Sequence, residues 1–287
     1  MAIRLIAILL VLALIRFLPE LARLRQFDGW SAWYERVAQT SGAAPLLCVG
    51  GPVAIALIVQ WGLRGILFGA VSLAFACVIL FYCWGPRDLE RDAEAVEKAP
   101  DSARRAQAAQ ALLPDGRVGP LAYDAESLVA ATFESALKRW FGVLFWFALL
   151  GPAGALLYRL LQLAAFAPNL AEARATSDAR RAASVIDWLP AHFVALALAI
   201  VSDFDAVLKS WRDWHATRGD RFELNPGFLD AIARASVVAD VAQDEAYRDQ
   251  DAHSPLVALS DAMVLVRRVL IVWLTVISLL VLGGWFG

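Results

Sequence analysis

The sequence predicts an all-α, polytopic membrane protein with about five or six membrane helices and two cytoplasmic helical regions. Three observations carry this expectation. Long stretches at 45–84, 140–166 and 269–286 hold almost no charge. The chain is 60% hydrophobic and only 19% charged, with mean hydropathy +0.57, whereas a soluble domain of 287 residues carries more charge. Many of the eleven tryptophans fall at the ends of apolar runs, where an aromatic belt meets the bilayer surface.

A net charge of -2 with no basic stripe excludes a nucleic-acid binder. Cys48, Cys77 and Cys83 lie in or beside apolar runs without a neighbouring histidine, so they read as core or lipid-facing side chains and no metal site is expected. The chain reads as a single membrane domain over 1–287, with cytoplasmic helical regions at 85–133 and 203–263.

Residues 1–18 run from Arg4 through an apolar stretch to Arg16, Phe17, Leu18 and Pro19 with no small-residue cleavage site, so they read as a short retained membrane helix. In 20–44, Trp30, Trp33, Tyr34 and Val37 form one apolar face of a helix over Gly29–Gln39, suited to lying on a membrane. Across 45–84 the only charge is Arg64, inside Gly62-Leu63-Arg64-Gly65, and this predicts a hairpin of spans 45–62 and 66–84 with Arg64 at its tip. Mixed-charge, alanine-rich residues 85–133 predict two short helices broken at Pro100 and near Pro114-Asp115-Gly116.

From Trp140 to Phe166 the only charge is Arg159, so 140–166 reads as a span with Arg159 as a snorkelling anchor. Residues 185–202 are barely long enough to cross, and a re-entrant helix competes with a span there. Asp187, three before Pro190, has the spacing of an N-cap. Helices are expected from Asp205 to about Thr217 and from Phe228 to about Val241, and Pro255 opens the last element. Arg267 and Arg268 precede a final span over Val269–Phe286. Lys and Arg counts place 19–44 and 85–139 in the cytoplasm, and 203–263 with them if both intervening segments cross.

The ESALKRWFGVLFW stretch from Glu134, ALLYRLLQ after it and VIDWLPAHF at 185–193 resemble the CobD/CbiB membrane family. Within it they resemble most the AmpE group, bacterial inner-membrane proteins associated with β-lactamase induction. The resemblance extends to ARRAQAAQALLPDG, to FELNPGFLDAIARAS and to the arginine-led last helix. It implies roles for Glu134, for Asp187 and Pro190, and for Asn225 and Gly227. The CobD/CbiB ligases join an aminopropanol derivative to a corrinoid carboxylate with ATP. Where they carry acidic and amide residues, this chain has Lys138-Arg139-Trp140-Phe141-Gly142, and their arginine after Pro-Ala is His192 here. A Mg–ATP site needs carboxylates, so ATP and Mg²⁺ enter only under a ligase reading.

The ligand-binding candidates are therefore Glu134, Arg139, Asp187, His192, Asn225 and Gly227. Each has a plainer alternative. Glu134 can pair with Lys138 one turn on, and Arg139 can anchor at lipid headgroups. Asp187 can be a cap, His192 a satisfied polar residue, and Asn225 turn chemistry. No phosphate loop, GxSxG elbow or HExxH occurs. The resemblance implies an accessory protein in signalling from cell-wall recycling to β-lactamase expression, binding a small ligand or a protein partner of that pathway at the cytoplasmic face. An amide ligase and a transporter are the alternatives.

Overall fold

A computed structural model describes residues 2–18, 20–21, 25–63, 69–85, 87–114, 119–167, 174–217, 226–243 and 254–284. Among them the secondary structure is helical throughout. In chain order the helices are α1 (Ala2–Phe17), α2 (Asp28–Thr40), α3 (Ala44–Gly62), α4 (Ala70–Cys83), α5 (Leu89–Lys98), α6 (Ser102–Ala109), a 3-10 turn (Gln110–Leu112) and α7 (Ala125–Ala136). A π turn (Leu137–Phe141) follows, then α8 (Gly142–Leu150), α9 (Pro152–Ala165), α10 (Arg174–Val201), α11 (Phe204–Thr217), α12 (Phe228–Gln243) and α13 (Pro255–Leu282).

Among the described residues three helices are long and apolar enough to cross a membrane: α3, the Thr176–Val201 stretch of α10, and α13. Of the expected five or six, these three have crossing length among the described residues. Helices α1 and α4, of 16 and 14 residues, rise only about 21–24 Å at 1.5 Å per residue, short of a hydrocarbon core of about 30 Å. The 140–166 run is not one span either. Gly151 takes a left-handed φ of 78°, and Pro152 opens a new helix with no amide to give back. The run therefore folds into α8 and α9, packed on each other. The Arg64 hairpin tip lies outside the described residues.

The chain forms two compact units: 1–87 with 142–186 and 275–287, and 88–141 with 187–274. In the first, α1 packs on α4, α3 on α9, and α2 on α3. The break between α8 and α9 is held from both sides. Arg4 donates to the carbonyls of Ala148 (2.7 Å) and Leu149 (2.9 Å). The Gln60 amide donates to Leu150 O (3.3 Å) and accepts from Ala153 N (3.4 Å). These are carbonyls and amides that a helix end leaves open.

Two prolines inside helices are compensated in the same way. Proline brings no N–H to the carbonyl four residues back. For Pro52 in α3 that is Cys48 O, and the Trp30 indole donates to it at 3.0 Å. For Pro190 in α10 it is Ile186 O, and the Trp146 indole donates to it at 3.1 Å.

The α8–α9 contact depends on glycine. A Cβ at Gly154 would overlap the Trp146 carbonyl oxygen and stand 2.6 Å from Leu150 Cβ. Gly154→Ala is expected to cost about 1–3 kcal/mol as overpacking against backbone. Gly51→Ala is the control, because nothing lies within 4 Å of a Cβ there and alanine favours helix. Equal melting temperatures for the two variants in detergent would contradict this packing.

In the second unit, aspartates start the polar helices. Asp88, Asp101, Asp124 and Asp203 accept from the amides of Glu90, Arg104, Ser127 and Ala206 at the starts of α5, α6, α7 and α11. The Ala206 amide, then Gln243, holds the Asp203 carboxyl below the ordinary aspartate range. The expected bounds of α2, α11 and α12 agree with the structure within about two residues. Helix α13 opens at Pro255 as expected and runs unbroken through Arg267 and Arg268 into the apolar stretch that follows them.

Candidate functional site

Glu134 sits on α7 one turn before Lys138, and the two form an ion pair at 2.8 Å. Arg139 follows in the π turn, a widening frequent at functional sites. Its side chain is 1% exposed, so it does not snorkel to a lipid surface. It binds Asp92 of α5 at 2.8 Å and the carbonyls of Ala111 (3.0 Å) and Leu113 (2.9 Å). The Ser135 hydroxyl donates to the Leu112 carbonyl between them. Arg139 thus ties α5 and the 3-10 turn to the end of α7.

Arg159 is also buried rather than snorkelling. It is 3% exposed, 5.9 Å over the Phe27 ring, and its guanidinium lies 3.6 Å from where a Gly85 Cβ would stand. Gly85 itself has a φ of 99°, so a side chain there is strained on both counts.

Asp187 is not an N-cap. Helix α10 begins at Arg174, upstream of it, because the polar stretch before VIDWLP is itself helical. Asp187 is a buried interior residue, 3% exposed. Asp187 and His192 do not converge either: five residues on a helix of 3.6 residues per turn rotate about 140°. Asn225 lies outside the described residues. Gly227 precedes α12, whose first residue is Phe228.

His192 gathers an aromatic cluster. Its ring centroid is 4.1 Å from Trp188, 4.3 Å from Phe228 and 5.2 Å from Trp211. Trp214 and His215 extend the cluster, with Trp214 5.9 Å from Phe228 and 5.1 Å from His215. Nδ1 of His192 lies 2.7 Å from the Trp188 carbonyl oxygen, an acceptor only, so Nδ1 carries the proton and donates. Nε2 is then the acceptor of the neutral ring. The half-buried imidazole presents a polar atom within a wall of aromatic faces.

The sequence reading missed a groove between α11 and α12 of about 640 Å³. Lys209, Asp213 and Trp214 of α11 and Ala231, Ala235 and Ala239 of α12 line it. The available signal was the four-residue spacing of the three alanines. Among the described residues no three His, Cys, Asp or Glu side chains group closely enough to hold a metal ion.

Among the described residues, regular structure that is all helical and three apolar helices of crossing length define a helical membrane protein. The family model described as regulatory signalling modulator protein AmpE matches residues 3–285, and the chain belongs to the AmpE family. No curated protein and no solved structure matches the chain.

Proposed function

We propose that this protein sits in the bacterial inner membrane and links cell-wall recycling to β-lactamase induction by binding a small ligand at the His192 cluster. The family match over residues 3–285 is the observation that carries the regulatory reading. The ligand site rests on chemistry. Trp211, partly exposed, offers a face on which a sugar ring or an apolar peptide group stacks, the buried Phe228 backs it from the core side, and His192 Nε2 accepts from a hydroxyl or amide. Asp187 and Gly227 flank the cluster in sequence. Glu134 and Arg139 are the second location in this reading, although Arg139 already serves Asp92 and two carbonyls. The concentration of Lys and Arg in 85–139 supports a cytoplasmic position for the soluble regions. The motif resemblance to CobD/CbiB ligases supplies the competing enzyme reading.

The test is ligand-dependent melting of the detergent-purified protein with muropeptide fragments, Mg–ATP and corrinoids, on wild type, His192→Ala and Glu134→Ala. A ligand at 100 times its Kd stabilises by about 2.7 kcal/mol if it binds only the folded state. The expected result is a muropeptide shift lost in His192→Ala and kept in Glu134→Ala. A shift with Mg–ATP alone that disappears in Glu134→Ala would replace this reading by the ligase. No shift with any compound would reject a small ligand among these classes.

A further inference from the structure

We infer that the groove between α11 and α12 is a two-fold contact between two copies of this chain, with the two α11 helices running antiparallel across the axis. The floor is built for close approach. Ala231, Ala235 and Ala239 fall one turn apart on α12, and small residues let helix backbones come near each other. Val238, 55% exposed on the same face, is the apolar side chain that such a contact covers.

The rim names the occupant. Lys209 and Asp213 stand one turn apart on α11, both exposed at the groove edge. They form no ion pair with each other or with any described residue. Elsewhere in this unit the arginines of α12 and α13 are matched: Arg234 with Glu126, Arg267 with Glu90 and Arg268 with Asp240. A cation and an anion one turn apart are self-complementary under a two-fold axis. A perpendicular axis between positions 209 and 213 lays Lys209 against the partner's Asp213 and Asp213 against the partner's Lys209 at once. A lipid chain or a chemically unrelated helix has no reason to meet this alternation of sign.

The symmetry makes the test specific. The full chain is purified into nanodiscs and its dimer dissociation constant is measured by mass at graded protein density. Wild type is expected to dimerise. Lys209→Asp alone and Asp213→Lys alone each set like charges against each other and weaken the dimer at least about tenfold. The chain carrying both changes regains wild-type affinity. A one-to-one mixture of the two single variants also regains it, because every facing pair is then opposite in sign. Both positions are exposed, so melting of the monomer stays unchanged and misfolding is separated from loss of contact. A wild type that stays monomeric, a dimer indifferent to the single changes, or single variants that their mixture does not rescue would each overturn the inference. The outcome is independent of whether muropeptides bind at His192.

Discussion

Arg139→Met is expected to lower stability by about 3–5 kcal/mol, the range for removing one partner of a buried, hydrogen-bonded charge pair. The guanidinium is 1% exposed and serves Asp92 and two carbonyls together. Methionine keeps much of the volume, so the loss is of polar partners: Asp92 and the Ala111 and Leu113 carbonyls are stranded. Arg139→Lys falls between, because one ammonium cannot reproduce a fork that reaches a carboxylate on one side and two carbonyls on the other. The comparison is Lys138→Met, which breaks a one-turn pair with Glu134 that keeps more contact with solvent than Arg139 does, and it is expected to cost less than Arg139→Met. Chemical unfolding in mixed micelles reads all three. If Arg139→Met and Lys138→Met prove equal, Arg139 is not the tie between α5 and α7 that its contacts describe.

Trp30→Phe and Trp146→Phe are each expected to cost about 1–3 kcal/mol, the penalty of a polar group left without its partner away from water. The two indoles share no hydrogen-bond partner, so the double variant is expected to lose about 2–6 kcal/mol. The cause is isolated by restoring the missing amide. In Pro52→Ala, residue 52 again donates to the Cys48 carbonyl, and Trp30→Phe then costs little beyond its packing with Tyr34, on which it stacks at 5.3 Å. A Trp30→Phe penalty that is the same in the wild-type and Pro52→Ala backgrounds would mean that the indole is not compensating for the proline.

Much of the local structure was legible because it depends on periodicity and on short-range chemistry. The apolar spacing of Trp30, Trp33, Tyr34 and Val37 gives α2, the Glu134–Lys138 spacing gives their ion pair, and the Phe228 start of α12 follows from Asn-Pro-Gly. What depends on distant partners was not legible. Hydropathy counts side chains, so 140–166 reads as one crossing, although Gly151-Pro152 breaks its backbone and Arg4 and Gln60 bind the groups that the break opens. Asp187 three before a proline has the signature of a cap, but a helix begun at Arg174 runs through both. Arg139 and Arg159 read as lipid anchors from their neighbours in sequence. Their buried environments are set by α5 in one case and by Phe27 and Gly85 in the other. The His192 cluster gathers rings from three helices, and no spacing within one helix announces it.

At the three interruptions of apolar helix, each donor lies nearer the N-terminus than the carbonyl it serves. Arg4 and Gln60 precede Ala148, Leu149 and Leu150, Trp30 precedes Cys48, and Trp146 precedes Ile186. A ribosome releases the chain in that order. When each weakened segment emerges, the side chain that completes its hydrogen bonding has already been made. The succession of helices along the gene thus doubles as a schedule for assembly.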